Sequence, residues 1–256
     1  MAAAILENNK SNRPIRHAVV ERYVRELLEG RWKSGTGETI KISESGKLLD
    51  GQHRLTAIVK SGVSATFHIA RGVDDSMFSV IDTGSVRNAT DVFFINGIRK
   101  SNVLPAMIQT SMNIKSGISG RQRTWRDAYT NAQLLAVYQQ NTEYWDFVSQ
   151  SALRWYEAFA KILPPSLIGG LFSTFHDINQ EDAQKFMEQL CTGQDITNNA
   201  IALLRTRLMQ DKMSTKRMIF SIRLALILKV WNVFRNGEKL TQLKYDTERE
   251  KFPVPI

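Results

Sequence analysis

The stretch from Leu48 to Ala57, Leu-Leu-Asp-Gly-Gln-His-Arg-Leu-Thr-Ala, gathers more groups able to do chemistry than any other part of the chain. Read physically, it is a strand, a glycine turn and the first turn of a helix. Gly51 lets the backbone come close to a ligand, and the amides that open a helix have no partners within it. His53 and Arg54 add donors, and a guanidinium can grip two phosphate oxygens at once. Gln52 sits between Gly51 and His53. A turn of this kind can cradle a di- or triphosphate. Asp50 at its rim could carry a metal ion on those phosphates or take a proton from an attacking hydroxyl. Glu38, on the strand before it, is a second candidate acid/base group, and His53 a third. The same residues also admit a structural role, with Asp50 capping the helix and Arg54 paired to a nearby acid.

Asp50-Gly51-Gln52-His53-Arg54, after a hairpin and before Leu55-x-Ala57, resembles the signature of the ParB/sulfiredoxin-like superfamily and of its phage-encoded members with a DGQHR motif. The resemblance covers roughly residues 10–95. It implies a small mixed α/β nucleotide-binding domain. Partition proteins of this group bind and hydrolyse CTP, sulfiredoxins use ATP, and a free-serine kinase with an Asp-Gly-His-His-Arg version uses ADP. By that likeness Gly51, Gln52, His53 and Arg54 would hold a nucleotide (ATP, CTP or ADP), with Mg2+ at Asp50. The departures narrow the choice. Sulfiredoxins need a cysteine just before the His-Arg pair, where this chain has Gln52; its single cysteine, Cys191, lies far along the sequence. Partition proteins have Gly-Glu-Arg-Arg, so His53 replaces their first arginine. The form here is nearest the kinase version and points to phosphotransfer or NTP hydrolysis, with Asp50, His53 and Glu38 as the catalytic candidates.

A second group follows: Asp82-Thr83-Gly84-Ser85-Val86-Arg87-Asn88-Ala89-Thr90-Asp91. An apolar strand running into a glycine turn with hydroxyls and an arginine could close over the same phosphates through Thr83 and Arg87. Phage-encoded relatives carry a similar Asp-x-Gly-x-x-Arg segment. Alternatively Asp82 and Thr83 form a simple side-chain turn. Asn88-Ala89-Thr90 also matches a glycosylation sequon, a weak pattern without a secretory context. There is no Gly-x-x-x-x-Gly-Lys-Ser/Thr loop, and His17, His53, His68 and His176 show no metal spacing.

The chain of 256 residues carries a net charge of +9, concentrated past residue 200, where 12 basic side chains face 5 acidic ones. Clustered positive charge suits a polyanion, because pairing with phosphates releases counterions. Arg121, Arg123, Trp125 and Arg126 could pair with phosphates and stack on a base, and Lys216 and Arg217 extend the basic end. The alternatives are a solvated loop with Trp125 tucked into a core, and a solvated basic helix.

These groups need elements to hold them. Strand patterns cover Thr39–Ile42, Lys47–Leu49, Thr66–Ala70 and Phe78–Ile81; helical ones cover His17–Glu29 and His53–Lys60. From Ser101, taken as a cap, the pattern is helical: to Lys115, then 131–141, 142–161, 166–178, 181–191, 197–209 and a last helix from a Ser214 cap to Arg235, with Pro164-Pro165 as a break. The expected fold is α+β, a small mixed domain over 1–98 followed by an all-helical one over 99–256. Arg223 and Lys229 interrupt the most apolar stretch, so no membrane span is expected. The N-terminus has no basic lead or long apolar run. DNA and a nucleotide are the expected partners, homo-oligomerisation is open, and the expected location is the cytoplasm, of a bacterial host if the chain is phage-encoded. Two functions compete: a nucleotide-dependent phosphotransferase or NTPase acting on or near DNA, in DNA base modification, and a non-catalytic DNA-binding regulator with a nucleotide switch or a silent pocket.

Overall fold

The structure is a computed structural model that describes residues 1–9, 12, 14–36, 38–75, 88–100, 102–117, 125 and 128–256. It is mixed α+β and mostly helical, and it divides into two compact units, Met1–Val86 and Arg87–Ile256.

The first unit holds α1 (Ala2–Glu7), α2 (His17–Leu28), β1 (Thr39–Ser43), β2 (Leu48–Asp50), α3 (Gln52–Ser61) and β3 (His68–Val73). β1 lies between its neighbours, antiparallel to β2 with Lys41 opposite Asp50, and parallel to β3 with Ile40 opposite Ile69. A parallel pair needs a crossover, and α3 supplies it. Alternation in β1 sends Ile40 and Ile42 inward against Leu48 and Leu55, with Ile5 and Leu6 of α1 packed on them. A second cluster sets Val20, Val24 and Leu27 of α2 against Ala57 of α3. The strand expected at 66–70 begins two residues later, and Phe78–Ile81 lies outside the described residues.

The second unit contains α4 (Ala89–Ile95), α5 (Leu104–Lys115), α6 (Asn131–Gln140), α7 (Thr142–Ala158), α8 (Pro165–Ile178), α9 (Gln180–Thr192), α10 (Asn199–Met213) and α11 (Phe220–Arg235). Its core is one large cluster in which Phe175 of α8 and Trp231 of α11 stack in parallel, with centroids 4.1 Å apart. Pro165 is the first residue of α8, as a ring with a fixed φ suits a first turn, but α7 has already ended at Ala158, short of the expected 161, with left-handed Ala160 and Lys161 before the proline pair. Asn88 and Asp91 form a capping box on α4, a structural use for the Asn88-Ala89-Thr90 sequon. The Ser214 cap expected for the last helix is corrected: Ser214 closes α10, its Oγ accepts from the Lys216 amide, and α11 starts only at Phe220. Ser101 lies outside the described residues, and α5 begins after Val103. Among the described residues no helix is long and apolar enough to cross a membrane.

α5 and α8 approach closely because α8 offers Gly169 and Gly170. A Cβ on Gly169 would stand 2.7 Å from Met107 Sδ, and one on Gly170 3.0 Å from the Ser111 amide nitrogen. Gly170→Val is expected to lower stability by about 2–3 kcal/mol through overpacking, read as a drop in the denaturant midpoint of the helical unit. Gly46→Ser, with open space around it but a φ of +82°, isolates backbone strain from collision and is expected to cost about 1 kcal/mol.

Cys191 is fully buried on α9, and burial pushes its thiol up to about 12. A thiol of that kind is inert in the folded chain. Labelling with a thiol-disulfide reagent at pH 8 is expected to proceed only as fast as the helical unit opens, and to become immediate in denaturant.

Candidate functional site

Gly51 ends β2 and caps α3 with φ of +106°, a left-handed conformation, and a Cβ there would run into the Ile40 side chain. The turn therefore bends sharply enough to place Asp50 and Arg54 side by side across the start of the helix. The Arg54 guanidinium donates from Nη1 to Glu38 Oε2 at 3.0 Å, and from Nη2 to Asp50 Oδ2 at 3.0 Å and to the Thr39 carbonyl at 3.2 Å. Its side chain is 9% exposed, while those of Asp50 and Glu38 are 25% and 70% exposed. Arg54 thus pins the start of β1, the end of β2 and the first turn of α3 together. Two carboxylates around one guanidinium leave this cluster with one net negative charge.

His53 is 8% exposed and its Nε2 accepts from the Arg16 main-chain amide at 3.0 Å, so that nitrogen carries no proton. Gln52, also buried, accepts from Asn9 Nδ2 at 3.1 Å through Oε1. Asn12 donates to the Leu48 carbonyl at 2.6 Å, and the Leu48 amide donates to the Asn8 carbonyl at 3.4 Å. Asn8 and Asn12 therefore sit at the outer edge of β2, and Asn9 and Arg16 over the opening of α3. The first two satisfy an otherwise bare strand edge.

Beside the cluster is a cleft of about 130 Å³ lined by Trp32, Lys33, Thr36, Glu38, Phe67 and His68 among others. That space takes a phosphate or a single ring; sites for whole small molecules run to several hundred Å³. Trp32 is held by Tyr23 on one side, at 5.5 Å between centroids, and by Phe67 on the other, at 5.6 Å. Sequence reasoning missed this cleft, whose Trp32–Glu38 rim has no regular periodicity.

The structure brings together Glu38, Asp50, Gly51 and Arg54, with Gln52 and His53 on the adjoining turn. Thr83 and Arg87 lie outside the described residues, as do Arg121, Arg123 and Arg126. Trp125 sits edge-on to Phe220 at 5.1 Å, and its carbonyl accepts from Gln109 and Asn113. Lys216 and Arg217 are exposed on the loop between α10 and α11. Other basic groups of the last two helices meet partners in the chain: Arg223 pairs with Asp211 at 2.7 Å, Lys229 with Glu250 at 2.6 Å, and Arg235 with Asp182. Among the described residues no group of three or more His, Cys, Asp or Glu side chains stands ready to hold a metal ion. No known protein family, curated protein or solved structure matches the chain.

Arg54→Ala is expected to cost about 1–3 kcal/mol, because Asp50 and the Thr39 carbonyl lose a charged donor. Arg54→Lys recovers less than half of it, since an ammonium cannot reach three acceptors in a fork. Gly51→Ala is expected to be at least as damaging as Arg54→Ala, for it adds backbone strain to the collision with Ile40. Urea unfolding of the three variants reads the order.

Proposed function

We propose that the chain is a DNA-associated binding protein whose DGQHR turn serves first as a structural clamp, with nucleotide acting as a switch ligand or not at all. The observation that carries this reading is the Arg54 guanidinium, already engaged by Asp50, Glu38 and the Thr39 carbonyl. A phosphate arriving there must displace two carboxylates from a buried cation. His53 and Gln52 are likewise engaged by the N-terminal segment, and the neighbouring cleft is far smaller than a nucleotide. The DNA part of the proposal rests on the exposed Lys216 and Arg217 on a loop whose preceding residue, Ser214, braces the turn.

A second reading, a nucleotide-dependent phosphotransferase or NTPase working on or near DNA, is favoured by a different observation. Asp50 and Glu38, the two carboxylates suited to acid/base work, do meet at one guanidinium. A cluster with one surplus negative charge would take a nucleotide only as its magnesium complex, with Asp50 toward the metal. The N-terminal segment would then have to lift from Gln52 and His53.

Incubating the chain with radiolabelled ATP, CTP and GTP, Mg2+ and duplex DNA separates the two. The binding reading expects no phosphate release or transfer above the level of an Asp50→Ala variant. Turnover in the natural chain that disappears in Asp50→Ala overturns it in favour of the enzyme. Both readings expect DNA binding that weakens with salt, and replacing Lys216 and Arg217 by alanine is expected to flatten the log affinity against log salt slope by roughly 1–2. A chain without DNA affinity at low salt removes the nucleic-acid element from both.

A further inference from the structure

A groove of about 710 Å³ opens in the helical unit, bounded by α7, α8, α9 and the segment that follows α9. Its floor is aromatic. Phe147 stands at 5.7 Å from Phe172 and 6.5 Å from His176, and Phe172 at 5.6 Å from His176. Phe147 is 47% exposed, so part of its ring is left to the groove. His176, desolvated among these rings and Tyr144, has its pKa lowered, and burial is the main cause. At neutral pH it therefore adds no charge to the floor.

The rim is acidic in a chain that is strongly basic overall. Glu181 and Glu188 project from α9 and Asp195 from the segment beyond it, against the single ammonium of Lys185. Arg154 outside the groove answers Glu188 at 2.9 Å, and the Trp155 indole donates to the same oxygen at 2.8 Å. Glu181 and Asp195 have no ion-pair partner among the described residues. Asp195 is also held in place. Its φ of +47° is unusual for a residue with a side chain. The buried Gln189 amide fixes that bend, donating to the Asp195 carbonyl at 2.8 Å and to Thr197 Oγ1 at 3.1 Å. A buried side chain thus fixes the backbone of the bend that carries Asp195, one of the residues lining the groove.

We propose that this groove binds a small organic cation with a flat apolar body, such as an arylalkylamine. The ring lies on the exposed Phe147 side chain, which the buried Phe172 backs from within the core, and an aromatic face attracts both π-systems and positive charge. The ammonium is taken by Asp195 and Glu181, in the pairing that charge complementarity selects. The volume lies within the range that small-molecule sites occupy. The same carboxylates repel phosphates and carboxylates, so the groove is not a nucleotide site, and it is independent of the DGQHR turn.

Three probes with one indole ring and different charge test the proposal on the full chain by calorimetric titration and ligand-observed NMR: tryptamine (cationic), tryptophol (neutral) and indole-3-acetate (anionic). Tryptamine is expected to bind at least about tenfold more tightly than tryptophol, and indole-3-acetate more weakly still. Phe147→Ser and Asp195→Asn, both at exposed positions, are each expected to weaken tryptamine by about fivefold or more, with unchanged circular dichroism to show that the fold is kept. Equal affinity for all three probes, or tighter binding of the anion, overturns the assignment of charge. Tryptamine binding untouched by Phe147→Ser overturns the location, and no binding of any probe up to about 10 mM overturns the site.

Discussion

Burying an arginine in a unit of fewer than ninety residues leaves the chain little choice about what surrounds it. The Arg54 guanidinium has five N–H donors and is nearly withdrawn from water, so its acceptors must be supplied by the protein. Those it finds belong to three different places: the carboxylate ahead of β1, the first carbonyl of β1 and the carboxylate that ends β2. The hairpin register, the crossover helix and the position of the Gly51 turn are then all coupled to one side chain. A slip of one residue in β2 would carry Asp50 to the other face of the sheet and leave the guanidinium short of a partner. The left-handed conformation at Gly51 is the backbone counterpart of that pairing, since any side chain there would press on Ile40 and push α3 away from β1.

This dependence explains how one motif can serve two tasks. A strand, a glycine and a helix start with arginine in its first turn bring a cation and fresh amides to one point, which suits a phosphate. The same geometry suits a carboxylate equally well. The difference lies in which anion reaches the guanidinium, and here the anions come from residues 38 and 50 of the chain itself, with the N-terminal segment tied to Gln52 and His53.

Short-range pattern carried much of the fold. Apolar spacing marked α2 and α3, alternation marked β1, and the glycine turn placed the hairpin within a residue or so. Elements that depend on contacts rather than on period were hidden. α1 has six residues, with Ile5 and Leu6 given meaning only by the sheet they cover. α4 has seven, and its start reads in sequence as a sequon or the end of a phosphate loop because Asn88 and Asp91 bond only to each other's backbone. Ser214 illustrates a real competition: a serine before an apolar run is a good N-cap, but this one is nearer the last turn of α10, and its hydroxyl braces the Lys216 amide instead. In the candidate site, an acid partner for Arg54 was legible as one alternative, but not that Asp50 would be that acid rather than a cap of α3, nor the cleft beside Trp32 and Glu38, nor the covering of His53 by Arg16, 37 residues away.

The distribution of charge shows the same limit. Read as a string, the last 56 residues are a basic tail with 12 cationic side chains. In three dimensions Arg223, Lys229 and Arg235 are answered by acids 12, 21 and 53 positions away, two of them ahead in the chain and one behind. Pairing at such separations leaves no local trace, and partly exposed pairs add little to stability, so their main effect is to erase charge from the surface field. The residues singled out for DNA in that region, Lys216 and Arg217, stay exposed on one short loop. The opposite sign appears at Glu181 and Asp195, on the rim of the aromatic groove. A net charge of +9 therefore describes no single surface: the helical unit alone holds a basic loop, an acidic groove rim and pairs that cancel within the fold.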